Sequence, residues 1–175
     1  MAGSLVEIDK EIVSSAVASV TLGGSDWDTS YDVYVVNIKN ATPDTDGEPL
    51  HFRFTESGTP NSTANYDYAL KNIRTAAGFS NGVGVNQQRG LVTGGTTGSD
   101  TNETANSIMY IFNANNSSEY TFNTFEGSII SDTGELRGGQ GGNVLTSSSS
   151  VDGVQFFFDN GNIESGTFTL YGLKK

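Results

Sequence analysis

The chain has 175 residues, with 20 acidic against 9 basic side chains, one histidine and no cysteine. Without cysteine there are no disulfides, thiolate chemistry or Cys-built metal centres, and the single histidine, His51, excludes a multi-histidine site. A formal charge of −11 with scattered cations argues against nucleic-acid binding, which needs clustered Lys or Arg. No apolar run approaches the ~20 residues of a membrane span. The first ten residues carry acids and no apolar core, so no secretory signal is expected.

Strand-type alternation dominates, and helical periodicity is nearly absent. Ala16, Ala18, Val20 and Leu22 share one face of a predicted first strand, closed by the turn residues Gly23-Gly24-Ser25-Asp26. Residues 31–38 (YDVYVVNI) predict a strand buried on both faces. The stretch 42–47 is a turn, in which Pro43 fixes φ and Asp46-Gly47 tolerates positive φ. Leu50, Phe52 and Phe54 alternate with His51, Arg53 and Thr55, which predicts a half-exposed strand. Tyr66, Tyr68 and Leu70 favour a strand over 66–73, although Ala69-Leu70-Lys71 would suit a helical turn.

From 74 to 107 glycine, threonine and asparagine prevail, and the segment is expected to be a long loop or insertion holding at most a short hairpin. Strands are expected again at 108–112 and from Tyr120 to about Ile130, with a turn at Asp132-Thr133-Gly134. Segments 136–142 and 147–150 read as weak connectors. Val154, Phe156 and Phe158 form a further strand, Asp159-Asn160-Gly161-Asn162 is a hairpin signal, and Phe168, Leu170 and Leu173 mark the last strand.

About nine strands punctuated by turns indicate an all-β, antiparallel β-sandwich of jelly-roll-like type. Core-type alternation in the first and last strands suggests that residues 16–22 and 167–173 pair. Residues 14–175 would then be a single domain, with 1–13 as an extended N-terminal arm outside it, reaching ~40 Å. Leu5, Val6, Ile8, Ile12 and Val13 are the arm's candidate contacts to a partner.

The chemistry-bearing residues form no recognisable constellation. His51 sits between Leu50 and Phe52 as a surface strand residue, and no G-x-S-x-G elbow exists. Glu126 and Glu135 flank a predicted turn and could serve as a glycosidase-type carboxylate pair, although so many acids make chance pairs inevitable. Asp26, Asp28 and Asp32, and the run from Asp159 to Glu164, offer oxygen ligands of calcium type. Neither fits the twelve-residue EF-hand loop, and Asp and Asn are ordinary turn residues. The glycines of 78–98 lack the Gly-Lys-Ser/Thr of a phosphate-binding loop. No catalytic residue, metal or cofactor is therefore assigned.

Two segments carry a resemblance. Residues 16–38, AVASVTLGGSDWDTSYDVYVVNI, and 151–173, VDGVQFFFDNGNIESGTFTLYGL, resemble the opening and closing motifs of small virion structural proteins of marine tailed bacteriophages. Asp159-Asn160-Gly161-Asn162-Ile163 stands where that family carries Ser-Ser-Gly-Asn-Ile, and the middle of the chain is unmatched. The resemblance implies a jelly-roll-like sandwich in a phage particle, with no catalytic residues to transfer. A capsid decoration or cement protein is the first expectation, with the major capsid protein or other virion proteins as partners and a homo-oligomeric state. The alternative is a tail or fibre module binding host glycans, for which Tyr34, Tyr66, Tyr68 and Tyr110 are candidate stacking residues, although the sandwich core is the more ordinary place for them.

Overall fold

The computed structural model describes residues 4–76 and 78–174. Thirteen strands and one three-residue 3-10 turn make up its regular structure. The strands are β1 (Ser4–Val13), β2 (Val20–Gly23), β3 (Val33–Pro43), β4 (Glu48–Glu56), β5 (Thr59–Pro60), β6 (Tyr66–Arg74) and β7 (Gly78–Gln87). They continue with β8 (Gly90–Thr97), β9 (Ala105–Phe112), β10 (Thr121–Ile130), β11 (Leu136–Leu145), β12 (Gly153–Phe158) and β13 (Ile163–Lys174). Sheet A runs β1-β13-β3-β9-β10-β11-β6-β7. Sheet B runs β2-β12-β4-β5, with β8 also on β4, and every pairing is antiparallel.

The expected all-β sandwich is what the chain forms. Its core lies between the two sheets and follows the alternation in the sequence. Tyr34, Val36 and Ile38 of β3, Met109 and Ile111 of β9, and Phe168 and Leu170 of β13 point inward from sheet A. Leu22, Leu50, Phe52, Phe54, Val154 and Phe156 meet them from sheet B. Phe52, Phe54 and Tyr66 pack as an aromatic cluster, Phe52 edge-on to both of the others. The Tyr66 hydroxyl accepts from Phe54 N at 2.9 Å and donates to Asn61 O at 3.2 Å, so the buried phenol is satisfied.

Five expectations require correction. Residues 4–13 are not an arm outside the domain: β1 pairs along its whole length with β13 as an edge of sheet A, with Val13 buried in the core. Met1–Gly3 of the expected arm lie outside the described residues. The first-to-last pairing is consequently different, because β13 lies between β1 and β3 while β2 pairs with β12. Ala16 and Ala18 are exposed, and hydrogen-bonded pairing with the last strand is reduced to a single bridge from Val17 to Ile163.

The segment 74–107 is not a long loop but contributes β7, β8 and the start of β9. Segment 136–142 is no weak connector, since β11 sits well inside sheet A, bonded to both β10 and β6. Nor is 159–162 a hairpin turn. It carries the chain from β12 in sheet B to β13 in sheet A, held by Asp44 and Glu48, which accept from the backbone and side-chain amides of Asn162 and Asn160. Gly161 takes φ 77° there, a conformation that favours glycine, and a Cβ would displace the Asp44 carboxylate and the Thr45 hydroxyl.

Candidate contact surface

The two carboxylates considered as a catalytic pair are not brought together. Glu126 is exposed on the outer face of β10, where its Oε1 accepts from Gln140 Nε2 at 2.8 Å. Glu135 is buried in the β10–β11 turn and accepts from Arg74 Nη2 at 2.7 Å, Arg137 Nε at 2.9 Å and Ala76 N at 3.0 Å. The Arg74 and Arg137 guanidiniums hold its pKa down at about 2. An acid so fully engaged is a fastener between β6, β11 and the turn.

His51 is also not the surface residue its alternation suggested, being 6 % exposed. It faces the outer side of sheet B, covered by Leu91, Arg89 and Asp159, with Nδ1 3.2 Å from Gly90 O and Nε2 3.9 Å from Asp159. Burial first, and then the nearby Arg89 charge, lowers its pKa to about 4. The ring is therefore neutral at physiological pH, with Nδ1–H donating to Gly90 O as the geometry requires. Asp159 is taken by Arg89 at 2.7 Å.

The Asp-rich turns are similarly occupied. Asp28 Oδ1 accepts from Ser30 N at 2.9 Å, which lowers its pKa, and Asp44 is held down in the same way by Asn162. Among the described residues no group of three or more His, Asp or Glu could hold a metal ion.

Of the tyrosines weighed as stacking platforms, Tyr34 and Tyr66 are fully buried, Tyr68 is half-buried and Tyr110 is 39 % exposed. Trp27 is closed off as well. Its ring stacks on Tyr34 at 3.9 Å, and its Nε1 donates to Asn115 Oδ1 at 2.9 Å. The same Asn115 donates through Nδ2 to Tyr34 Oη at 2.8 Å, and that hydroxyl donates to Asp28 O at 2.6 Å.

What remains open is the outer face of sheet A over β10, β11, β6 and β7. Alternation along these strands sends Phe122, Val144, Ala69, Val83 and Val85 to solvent while Phe125, Leu145, Leu70 and Tyr66 fill the core. Ala69 and Gly142 raise little above the sheet, so Phe122 and Val144 on one side and Val83 and Val85 on the other bound an apolar groove of about 540 Å³. Ile73, Phe79 and Leu136, at 57 %, 68 % and 50 % exposure, continue the apolar surface toward the far end of β6 and β7. Apolar exposure of this kind makes the outer face of sheet A the candidate contact surface.

Of the five N-terminal candidates, Leu5 and Ile12 are exposed on β1, Val6 and Ile8 are partly covered, and Val13 belongs to the core. Sequence reasoning missed the β7 and β11 residues because glycine interrupts both strands; Phe79, Val83 and Val85 at spacings of four and two were the available signal. Neither a protein-family model nor a curated protein sequence matches the chain.

Proposed function

We propose that this chain is a structural protein of a bacteriophage virion, acting as a capsid decoration or cement protein that adds protein–protein contact to the head. The observation that carries the reading is the resemblance of its two ends, 16–38 and 151–173, to the virion proteins named above. The architecture is compatible with such work. It is an antiparallel sandwich in which Glu135 and His51 are engaged internally and whose outer sheet A face carries an apolar groove. Burying such a face against a shell protein contributes roughly 25 cal/mol per Å² of apolar surface, and it needs no chemistry.

The second reading, a tail or fibre module that binds host glycans, has support from the exposed rings of Tyr110, Tyr120 and Phe122 near one end of sheet A. It is weakened by the burial of Tyr34 and Tyr66, two of its four expected platforms. Copy number separates the readings. Peptide mass spectrometry of purified particles should find this chain at a level comparable to the major capsid protein. A few copies per particle would favour the tail reading, and absence from particles would overturn both.

A further inference from the structure

Sheet A ends in two edge strands that are built differently. β1 carries Glu7, Asp9, Lys10 and Glu11, with a register shift between Glu7 and Asp9. Charges and bulges of this kind keep a sheet edge from pairing with another chain. β7 reads Gly-Phe-Ser-Asn-Gly-Val-Gly-Val-Asn-Gln, ten residues without a charge or a proline. It pairs regularly with β6 from Gly78 to Gly84, and the register shifts only beyond that point. Among the described residues no strand lies along its other side.

We propose that this edge receives a second copy of the chain, two β7 strands pairing antiparallel about a two-fold axis at Asn81 and joining two sheets A into one. A pairing centred on Asn81 uses the whole regular stretch 78–84. It sets Phe79 opposite Val83 of the second copy, Ser80 opposite Gly82 and Asn81 opposite itself. Aromatic against β-branched is a favourable cross-strand pair, and two facing carboxamides can exchange hydrogen bonds. Phe79 and Val83, 68 % and 75 % exposed, come side by side on the joined outer face, and the grooves of the two copies become continuous.

Charge selects β7 over β1, and the self-complementary register about Asn81, Phe79 against Val83, selects a second copy of the same strand. Two β1 strands would bring Glu7, Asp9 and Glu11 of both copies together on bodies that each carry −11. Beside β7, β6 carries Asp67 and Lys71, while Arg74 is neutralised by Glu135. Lys71 lies over the Phe79 ring with Nζ 4.6 Å from its centroid, which spreads positive potential at the joint. Joining here holds the acidic remainder of each copy apart.

The inference concerns the purified chain and does not depend on the virion reading. Sedimentation velocity of the wild type should show a monomer–dimer equilibrium that shifts toward dimer with concentration and with added salt, which screens the net charge. Val83→Lys, at an exposed position, should shift the same material to monomer with an unchanged circular dichroism spectrum.

Because the chain has no cysteine, Asn81→Cys supplies a single reporter, and opposed side chains at a two-fold lie within disulfide reach. Mild oxidation should convert N81C to a covalent dimer, while Ile12→Cys on the other edge stays monomeric at equal concentration. A wild type that is monomeric throughout, a dimer that survives Val83→Lys, or N81C that cross-links no faster than I12C would each overturn the proposal.

Discussion

Asn143 and Asn123 face each other across β11 and β10, both buried, and only one of them is partnered. Asn143 Oδ1 accepts from Leu91 N at 2.9 Å, and its Nδ2 donates to Leu91 O at 3.0 Å, so the side chain completes the β8 backbone as a neighbouring strand would. It thereby ties sheet A to sheet B. The Asn123 carboxamide has no hydrogen-bond partner among the described residues.

Valine at these two positions should therefore act in opposite directions. Asn143→Val strands both backbone groups of Leu91 and should cost about 2–4 kcal/mol. Asn123→Val removes an unpartnered buried amide and should be neutral or stabilising by up to ~1 kcal/mol. Urea unfolding of the two variants beside the wild type checks both signs.

Glycine lets the two sheets touch at a second point. A Cβ on Gly139 would stand 2.5 Å from the Cα and N of Gly94 in β8, backbone that cannot rotate away. Gly139→Ala should destabilise by roughly 1–3 kcal/mol, the usual range for overpacking. Gly142→Ala meets only Asn123 O, at 3.1 Å, and should cost less. Thermal melts of the pair test the ranking.

The Glu135 clamp sets an acid limit. Its folded pKa of about 2 lies below the ordinary carboxylate value, so the folded state holds the proton less tightly than the unfolded chain. Its stabilising contribution is complete above the unfolded pKa and is lost as pH falls through about 2. Glu135→Gln should be less stable than wild type at pH 7, and the gap between them should narrow from pH 5 to pH 2. A gap that stays constant would mean that folding does not lower the Glu135 pKa.

His51 works in the same direction for a different reason. Its pKa of about 4 is below the unfolded value near 6.5, so falling pH in that interval favours the unfolded chain. As the chain's single histidine, its imidazole carbon-bound protons are assignable without ambiguity by NMR. They should not titrate between pH 8 and 5.5, and a midpoint near 6.5 would place the ring in solvent.

Where the core alternation is continuous, the sequence was readable. Leu50-Phe52-Phe54, Tyr66-Tyr68-Leu70 and the run from Ile108 to Phe112 each became a strand as expected. Legibility failed where packing is made by the absence of side chains. β11 carries Gly138, Gly139, Gly141 and Gly142 and displays almost no hydrophobic pattern, yet at Gly139 β8 crosses it backbone to backbone, and at Gly141 the β6 backbone leaves no room for a Cβ. Partner choice was hidden for a related reason. Asn160-Gly161 is as good a signal for an inter-sheet corner as for a hairpin, and only Asp44 and Glu48, over a hundred residues away, decide between them.

The candidate surface was harder to read than the fold. His51 was judged by its own strand, whereas Arg89 and Asp159 arrive from elsewhere to cover it. The outer face of sheet A became visible only once β6, β7, β10 and β11 were known to be neighbours.

An electron cryo-microscopy map of the intact particle tests the central claim most directly. A sandwich of this shape should stand on the head, with Phe122, Val144 and Val83 covered by a shell protein. A head surface without it, or a sandwich whose sheet A groove opens to solvent, would refute the decoration role.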